Sequence, residues 1–280
     1  MQGPEILARS LSAARVMDQF GNAWQYHSRS DNHSKLACWA ILFDLLQHCP
    51  LLAQHIRSGK VGFGINHEMR DFRTGRKKYL DLVLCTPRDA SSKPESFESL
   101  VDRYSIVLTS AEAKELERLP RLSRVDVGAV HVALEAKACM TEHVKALPRL
   151  YDELNSSHLA IHASADFAIA TGFAMVNMAT SFLSPGRNKR PIEGSPTVTI
   201  HKQPYVTQRT VEKLREIPRR TQLGAEGFDA FAIVVIDMKN DGSPVEIVST
   251  PPAPAPGDVL YYNQMVHRIA SLYATKFGNV

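Results

Sequence analysis

The chain has 280 residues, 44% of them hydrophobic and 22% charged, with a formal net charge of +4. Those values exclude global disorder and supply enough apolar side chain for a sizeable core, in one large domain or two small ones. The mild basicity suits a polyanionic partner without requiring one.

The first 14 residues lack a basic stretch followed by an apolar core, so no signal peptide is expected. No apolar run approaches the roughly 18 residues that a bilayer crossing needs, so a cytoplasmic protein with no membrane partner is expected. Residues 6–20 are amphipathic, and residues 25–32 are rich in His, Ser, Arg and Asp. A helix then begins, capped by Asp31 or Ser34, with Leu36, Trp39, Ala40, Phe43, Leu46 and Leu52 near helical spacing. Pro50 should bend or divide it, and Gly59 ends it. Val61, Phe63 and Ile65 alternate as in a strand. A basic turn (Arg70, Arg73, Arg76, Lys77, Lys78) leads into a second strand, 79–84, which carries Asp81. The two strands read as an antiparallel pair. Residues 87–124 are polar, with Pro87, Pro94 and Pro120 and a charged helical patch at 110–119, and read as an insertion over the core.

The strand at 127–138 is apolar until Glu135 and Lys137, which share one face because strand side chains alternate. Thr141 is expected to cap a helix whose Leu147, Leu150 and Leu154 form one face. An apolar strand follows at 167–176, then a basic, proline-containing loop at 184–222 with a short helix at 211–217. A strand at 231–238 turns at Asn240-Asp241-Gly242 and returns through 245–248. An amphipathic helix, 259–277, closes the chain. The order predicts a single α/β domain over 1–280, built on a mixed sheet. The cysteines (Cys38, Cys49, Cys85, Cys139) form no C-x-x-C pair and read as buried free thiols. There is no P-loop motif, no nucleophile elbow and no H-E-x-x-H pattern.

Charge inside an apolar strand is costly unless it is paired. Asp81 and the Glu135/Lys137 pair stand where the pattern calls for Val or Leu, on strands expected to be neighbours. Two adjacent carboxylates repel, and a divalent ion with a preference for oxygen ligands relieves that repulsion while keeping sites open for water and phosphate. An ammonium two residues from the Glu can share the phosphate without displacing the ion. The alternative is a structural ion-pair cluster that neutralises itself. The basic turn and the segment Arg187–Arg190 with Arg219 and Arg220 read either as phosphate grips or as solvated loops. His143 and Lys145 lie just beyond the E-x-K strand, and His158 and His162 have i,i+4 spacing; surface or hydrogen-bonded core roles are expected for most histidines. The aromatic residues Tyr261, Tyr262 and Tyr273 on the last helix read as packing or dimer contacts.

At these residues the chain resembles the PD-(D/E)XK nuclease superfamily, the restriction-endonuclease-like fold. The matched elements are Asp81 in the second strand, Glu135-Ala136-Lys137 at the end of the third and the helix after it, within roughly residues 33–177. The resemblance implies an αβββαβ core around a mixed sheet, an insertion at 87–124 and a C-terminal extension over 178–280 with a β-hairpin and a helix. It implies a Mg²⁺-dependent endonuclease, with Mn²⁺ as substitute, that hydrolyses DNA phosphodiester bonds. Asp81 and Glu135 would be metal ligands and Lys137 would assist the attacking water. The implied partner is nucleic acid, double-stranded DNA first, with a homodimer to cut both strands and a setting in restriction or phage defence. Leu80 stands where Pro often precedes the Asp. Some members add an acid from the first helix region, for which Asp44 and Glu68 are the candidates. A silent nucleic-acid-binding scaffold, or a nuclease subunit awaiting its partner, is the competing reading.

Overall fold

The computed structural model describes residues 1–71, 75, 77–192 and 194–278, with backbone alone at 90–92. The chain opens with α1 (Gly3–Ala13) and a two-strand ribbon, β1 (Val16–Met17) and β2 (Ala23–Trp24). Helix α2 (Asn32–His48) is buried from Ser34 through Leu46, which its all-round apolar composition demands. Pro50 cannot donate to a continuing helix, so the axis turns by 96° into α3 (Pro50–Arg57), as expected from the sequence. Gly59, in the left-handed region at φ +71°, ends that helix.

Strands β3 (Gly62–Arg70) and β4 (Lys77–Ser96) form the expected antiparallel pair, from Gly62 opposite Cys85 to Arg70 opposite Lys77. After α4 (Leu100–Arg103) and α5 (Ser110–Arg118) comes β5 (Ser123–Cys139), antiparallel to β4. The expected insertion at 87–124 is therefore corrected. Its first ten residues extend β4, and only the helical connection stands outside the sheet. Register shifts between Leu84 and Ser96 curl β4 so that the start of β5 meets the start of β3, with Phe63 paired to Arg124. Glycine allows this closure: a Cβ at Gly62 would lie 2.6 Å from the Val125 methyls.

Helix α6 (His143–Ser164) crosses to β6 (Ile169–Asn177), parallel to β5. A small ribbon, β7 (Ser181–Leu183) with β8 (Val198–Ile200), precedes α7 (Tyr205–Arg215), which lies earlier than the helix expected at 211–217. Strand β9 (Ala230–Asp237) runs parallel to β6 and pairs with β10 (Glu246–Val248) in the expected hairpin, and α8 (Tyr262–Lys276) follows. The six-stranded mixed sheet is ordered β10-β9-β6-β5-β3-β4, with β4 also paired to β5.

Alternation divides the core into two layers. Val132, Leu134 and Ala136 pack with α1, α2 and α8, whereas Val83, Ala133 and Ala174 pack with α6 and α7. Strands β6 and β9 are covered on both faces, which explains their unbroken apolar runs. All four cysteines are free and buried, as expected. Among the described residues no single helix is long and apolar enough to cross a membrane.

Candidate active site

The pairing of Leu82 with Leu134 makes Asp81 and Glu135 the next cross-strand positions; Glu135 alternates with Ala133 on the α6 side of β5, while the Asp81 carboxylate reaches Ser34 and Lys35 of α2. Lys137 follows on that face one step along β5. The sequence-identified residues Asp81, Glu135 and Lys137 are thus brought together.

Asp81 is anchored on both oxygens. The Ser34 hydroxyl donates to Oδ1 at 2.8 Å, the Lys35 ammonium donates to the same oxygen at 3.2 Å, and the Ala136 N–H donates to Oδ2 at 3.0 Å. Lys35 is only 4% exposed. Its ammonium also donates to the Asp81 carbonyl at 3.2 Å and to the side-chain oxygen of Asn66, and lies 3.8 Å from Asp31. Asn66 holds a left-handed backbone conformation, φ +51°.

Glu135 is 1% exposed. Its Oε1 lies 2.8 Å from the Lys137 ammonium and 3.5 Å from that of Lys78, yet neither carboxylate oxygen has a hydrogen bond of good geometry. Burial pushes the Glu135 carboxyl above its ordinary range; Lys137 opposes the shift and Asp81 adds to it. For Lys137, burial favours the neutral amine, but the carboxylates of Glu135, Asp81 and Glu153 together outweigh it and the net shift is upward. Lys137 is therefore an ammonium at neutral pH, suited to stabilising negative charge rather than to accepting a proton.

Above this cluster lies a cleft of about 600 Å³. Arg29, Asp31 and His33 form one wall, Asp81 and Lys137 the floor, and Lys145, Arg149 and Glu153 of α6 the other wall. Glu135 lies behind the floor. The 25–31 segment is pinned from the far end of the sheet: the Tyr26 N–H donates to Asn240 Oδ1 at 2.8 Å, and Asn240 Nδ2 donates to Tyr26 O at 3.0 Å. Gln25 donates to Ser243 O at 2.8 Å and accepts from the Gly242 N–H at 3.0 Å. The Asn240-Asp241-Gly242 turn therefore positions a cleft wall. Burial holds the His33 imidazole down at about 4 against the pull of Asp81, so it is neutral near pH 7.

Among the described residues no group of three or more His, Cys, Asp or Glu side chains converges as a metal cage. What converges is a pair of carboxylates. Counting lone pairs, Ser34 and Lys35 fill Asp81 Oδ1, Ala136 takes one site on Oδ2, and Oδ2 keeps one free; Glu135 Oε2 has no partner. A hard divalent ion that takes one or two carboxylates and keeps its waters fits this donor set.

Other expected candidates fall elsewhere. Asp44 accepts the backbone N–H groups of Gln2 and Gly3 at 2.9 and 2.8 Å, at the start of α1. Glu68 pairs with Lys77 at 2.9 Å and accepts from the Tyr79 hydroxyl at 2.7 Å, in a separate groove. Neither joins the cluster. The Thr141 hydroxyl bonds His201 at 3.0 Å instead of capping α6, and the residue at the N-cap is Glu142, left-handed at φ +53°. His143 is buried and donates to Asn177 O at 2.7 Å, away from the cleft. Arg220 is buried against Asp229 and Asp166, at 3.0 and 2.8 Å, and does not line the cleft. Of the basic turn, Lys78 reaches Glu135 and Lys77 reaches Glu68, while Arg73 and Arg76 lie outside the described residues. Ser34 and Lys35 were not identified from the sequence. The available signal was a lysine at the edge of a helix, followed by the eight apolar residues 36–43.

The chain matches no family model, no curated protein and no solved structure.

Proposed function

We propose that the chain is a metal-dependent phosphodiesterase of the restriction-endonuclease-like kind, an endonuclease acting on DNA. The observation that carries this reading is the cross-strand pair of buried carboxylates, Asp81 and Glu135, with the Lys137 ammonium beside them on the floor of a cleft. The order α2, β3, β4, β5, α6, β6, with α3 after α2 and α4 and α5 in the β4–β5 connection, supports it as an α-β-β-β-α-β core of the kind the resemblance implies. Double-stranded DNA as substrate and a setting in restriction or phage defence are carried by that resemblance alone.

In this mechanism Asp81 and Glu135 would hold the ion. A bound Mg²⁺ supplies Lewis acidity toward the phosphoryl group. Lys137 orients the attacking water and stabilises negative charge as it develops on the phosphate. Arg29, Lys145 and Arg149 on the walls can grip neighbouring phosphates and fix the register of the strand. Asp81 needs no reorganisation on binding, because Ser34 and the Ala136 N–H already fix its plane.

A second reading has one observation in its favour. Lys35, Lys78 and Lys137 already surround the two carboxylates, which is the arrangement of a self-neutralised structural cluster in a nucleic-acid-binding scaffold. The readings part in a cleavage assay on plasmid and linear DNA with Mg²⁺, Mn²⁺ or EDTA. The nuclease cuts only with metal, and Glu135→Gln and Lys137→Ala, each checked for folding, lose about 10²–10³-fold in rate. A protein that cuts under no metal, with a melting temperature unmoved by Mn²⁺, is the scaffold.

A further inference from the structure

We propose that Lys35 is a resident cation of this site, filling one side of Asp81 so that the carboxylate pair takes a single divalent ion. This deepens the metal-dependent reading above and rests on it. Lys35 differs from Lys137 in what surrounds it. Lys137 lines the open cleft, whereas Lys35 projects from the first turn of α2 into the interior and is only 4% exposed. There its ammonium has three oxygen partners: Asp81 Oδ1, the Asp81 carbonyl and Asn66 Oδ1. An ammonium has three donors, so it is fully committed. Asn66 meets it from a left-handed backbone, a conformation that costs free energy in a non-glycine residue and persists only where surroundings enforce it.

The consequence for the metal follows from lone pairs. With Oδ1 occupied by Lys35 and Ser34, Asp81 offers only the remaining site on Oδ2. It therefore acts as a one-oxygen ligand and cannot bridge two ions. Glu135 is the other carboxylate beside it, and no third acidic or imidazole group converges there among the described residues. The charge of Lys35 takes the place that a second divalent ion would fill.

This role predicts an effect opposite in sign to that of a purely structural residue. If Lys35 only positioned Asp81, neutralising it would disorder the ligand and weaken metal binding. As a resident cation it competes with the metal for the same carboxylate, so neutralising it tightens binding. Mn²⁺ titration calorimetry on the full chain, without DNA, reads this directly. Lys35→Met keeps the length and apolar stem of the side chain. Lys35→Gln keeps hydrogen-bond donors toward Asp81 and Asn66, as a second variant should the first fail to fold; circular dichroism checks both. The expected result is one Mn²⁺ per native chain, and in the variants affinity about tenfold tighter or a second bound ion. Two ions in the native protein, or variant binding that is unchanged or weaker, overturns the proposal and leaves the metal-dependent reading standing. Binding in the variants but not in the native chain overturns the single-ion site together with the reading of a metal-dependent nuclease. No Mn²⁺ binding by any of the proteins overturns both.

Discussion

Asp44 and Asp81 are each a lone acid inside an apolar stretch, and their neighbours give them different work. The Asp44 carboxylate accepts two backbone N–H groups, of Gln2 and Gly3, that begin α1 and have no intrahelical acceptor. Asp44→Ala leaves both donors buried without a partner, at a cost of about 2–4 kcal/mol. Urea denaturation should show that loss while Mn²⁺ affinity stays at the native value; weakened Mn²⁺ binding would put Asp44 in the metal site after all. Sequence spacing separated Asp81 from Asp44 only because a second charged strand, at Glu135, was visible as its neighbour. Lys35 was not legible in the same way. A lysine in the first turn of a helix, next to a polar segment, normally lies in solvent. Its burial depends on Asn66 and Asp81, 31 and 46 residues away, which no local pattern encodes.

At the level of elements, strands with a covered face announced themselves and strands without one did not. β5, β6 and β9 could be read from apolar runs because layers of helices lie on both sides of them. The second half of β4 reads as a loop because its polar residues pair with β5 beyond those layers, and without a buried face the alternation disappears. Thr141 looked like a cap because local rules favour it, but His201, brought in by the β7–β8 ribbon, claims its hydroxyl. The site depends on a packing detail in β6. Gly172 is paired with Glu135 on one side and with Phe231 on the other, and a Cβ there would lie 2.5 Å from the Phe231 ring. Gly172→Ala must displace an aromatic ring buried between two elements, which costs about 1–3 kcal/mol. Thermal melts should show the loss in stability, and an unchanged melting temperature would mean that β9 yields without strain.

Across the whole molecule, titration behaviour in acid is set largely by histidines, one on the cleft wall and three in the core. His33 of α2, His131 of β5 and His143 and His158 of α6 are each lowered by burial from the ordinary 6.5 to about 4. The unfolded chain protonates these groups at a higher pH than the folded one. Their contribution to stability is therefore complete above pH 6.5 and is lost as pH falls toward 4, at most about 3 kcal/mol for each. Glu135 works in the opposite direction. Its carboxyl is pushed up by burial, so its ionisation costs stability as pH rises through the folded value, and acid relieves that cost. His55, His67 and His162 are lowered as well, so the histidines together outweigh Glu135 and the metal-free protein loses stability in acid. Melting temperature at constant ionic strength should be level above about pH 7 and fall steadily from pH 6.5 to 4. His143 is the most direct test of the cause. Its Nε2 donates to Asn177 O at 2.7 Å while its Nδ1 is buried without a partner, so protonation there finds no acceptor. His143→Gln removes the titrating group but keeps an amide able to donate, and the acid slope should become shallower than in the native chain. An unaltered slope in His143→Gln would mean that the acid sensitivity originates at the other buried groups and that His143 is protonated without cost.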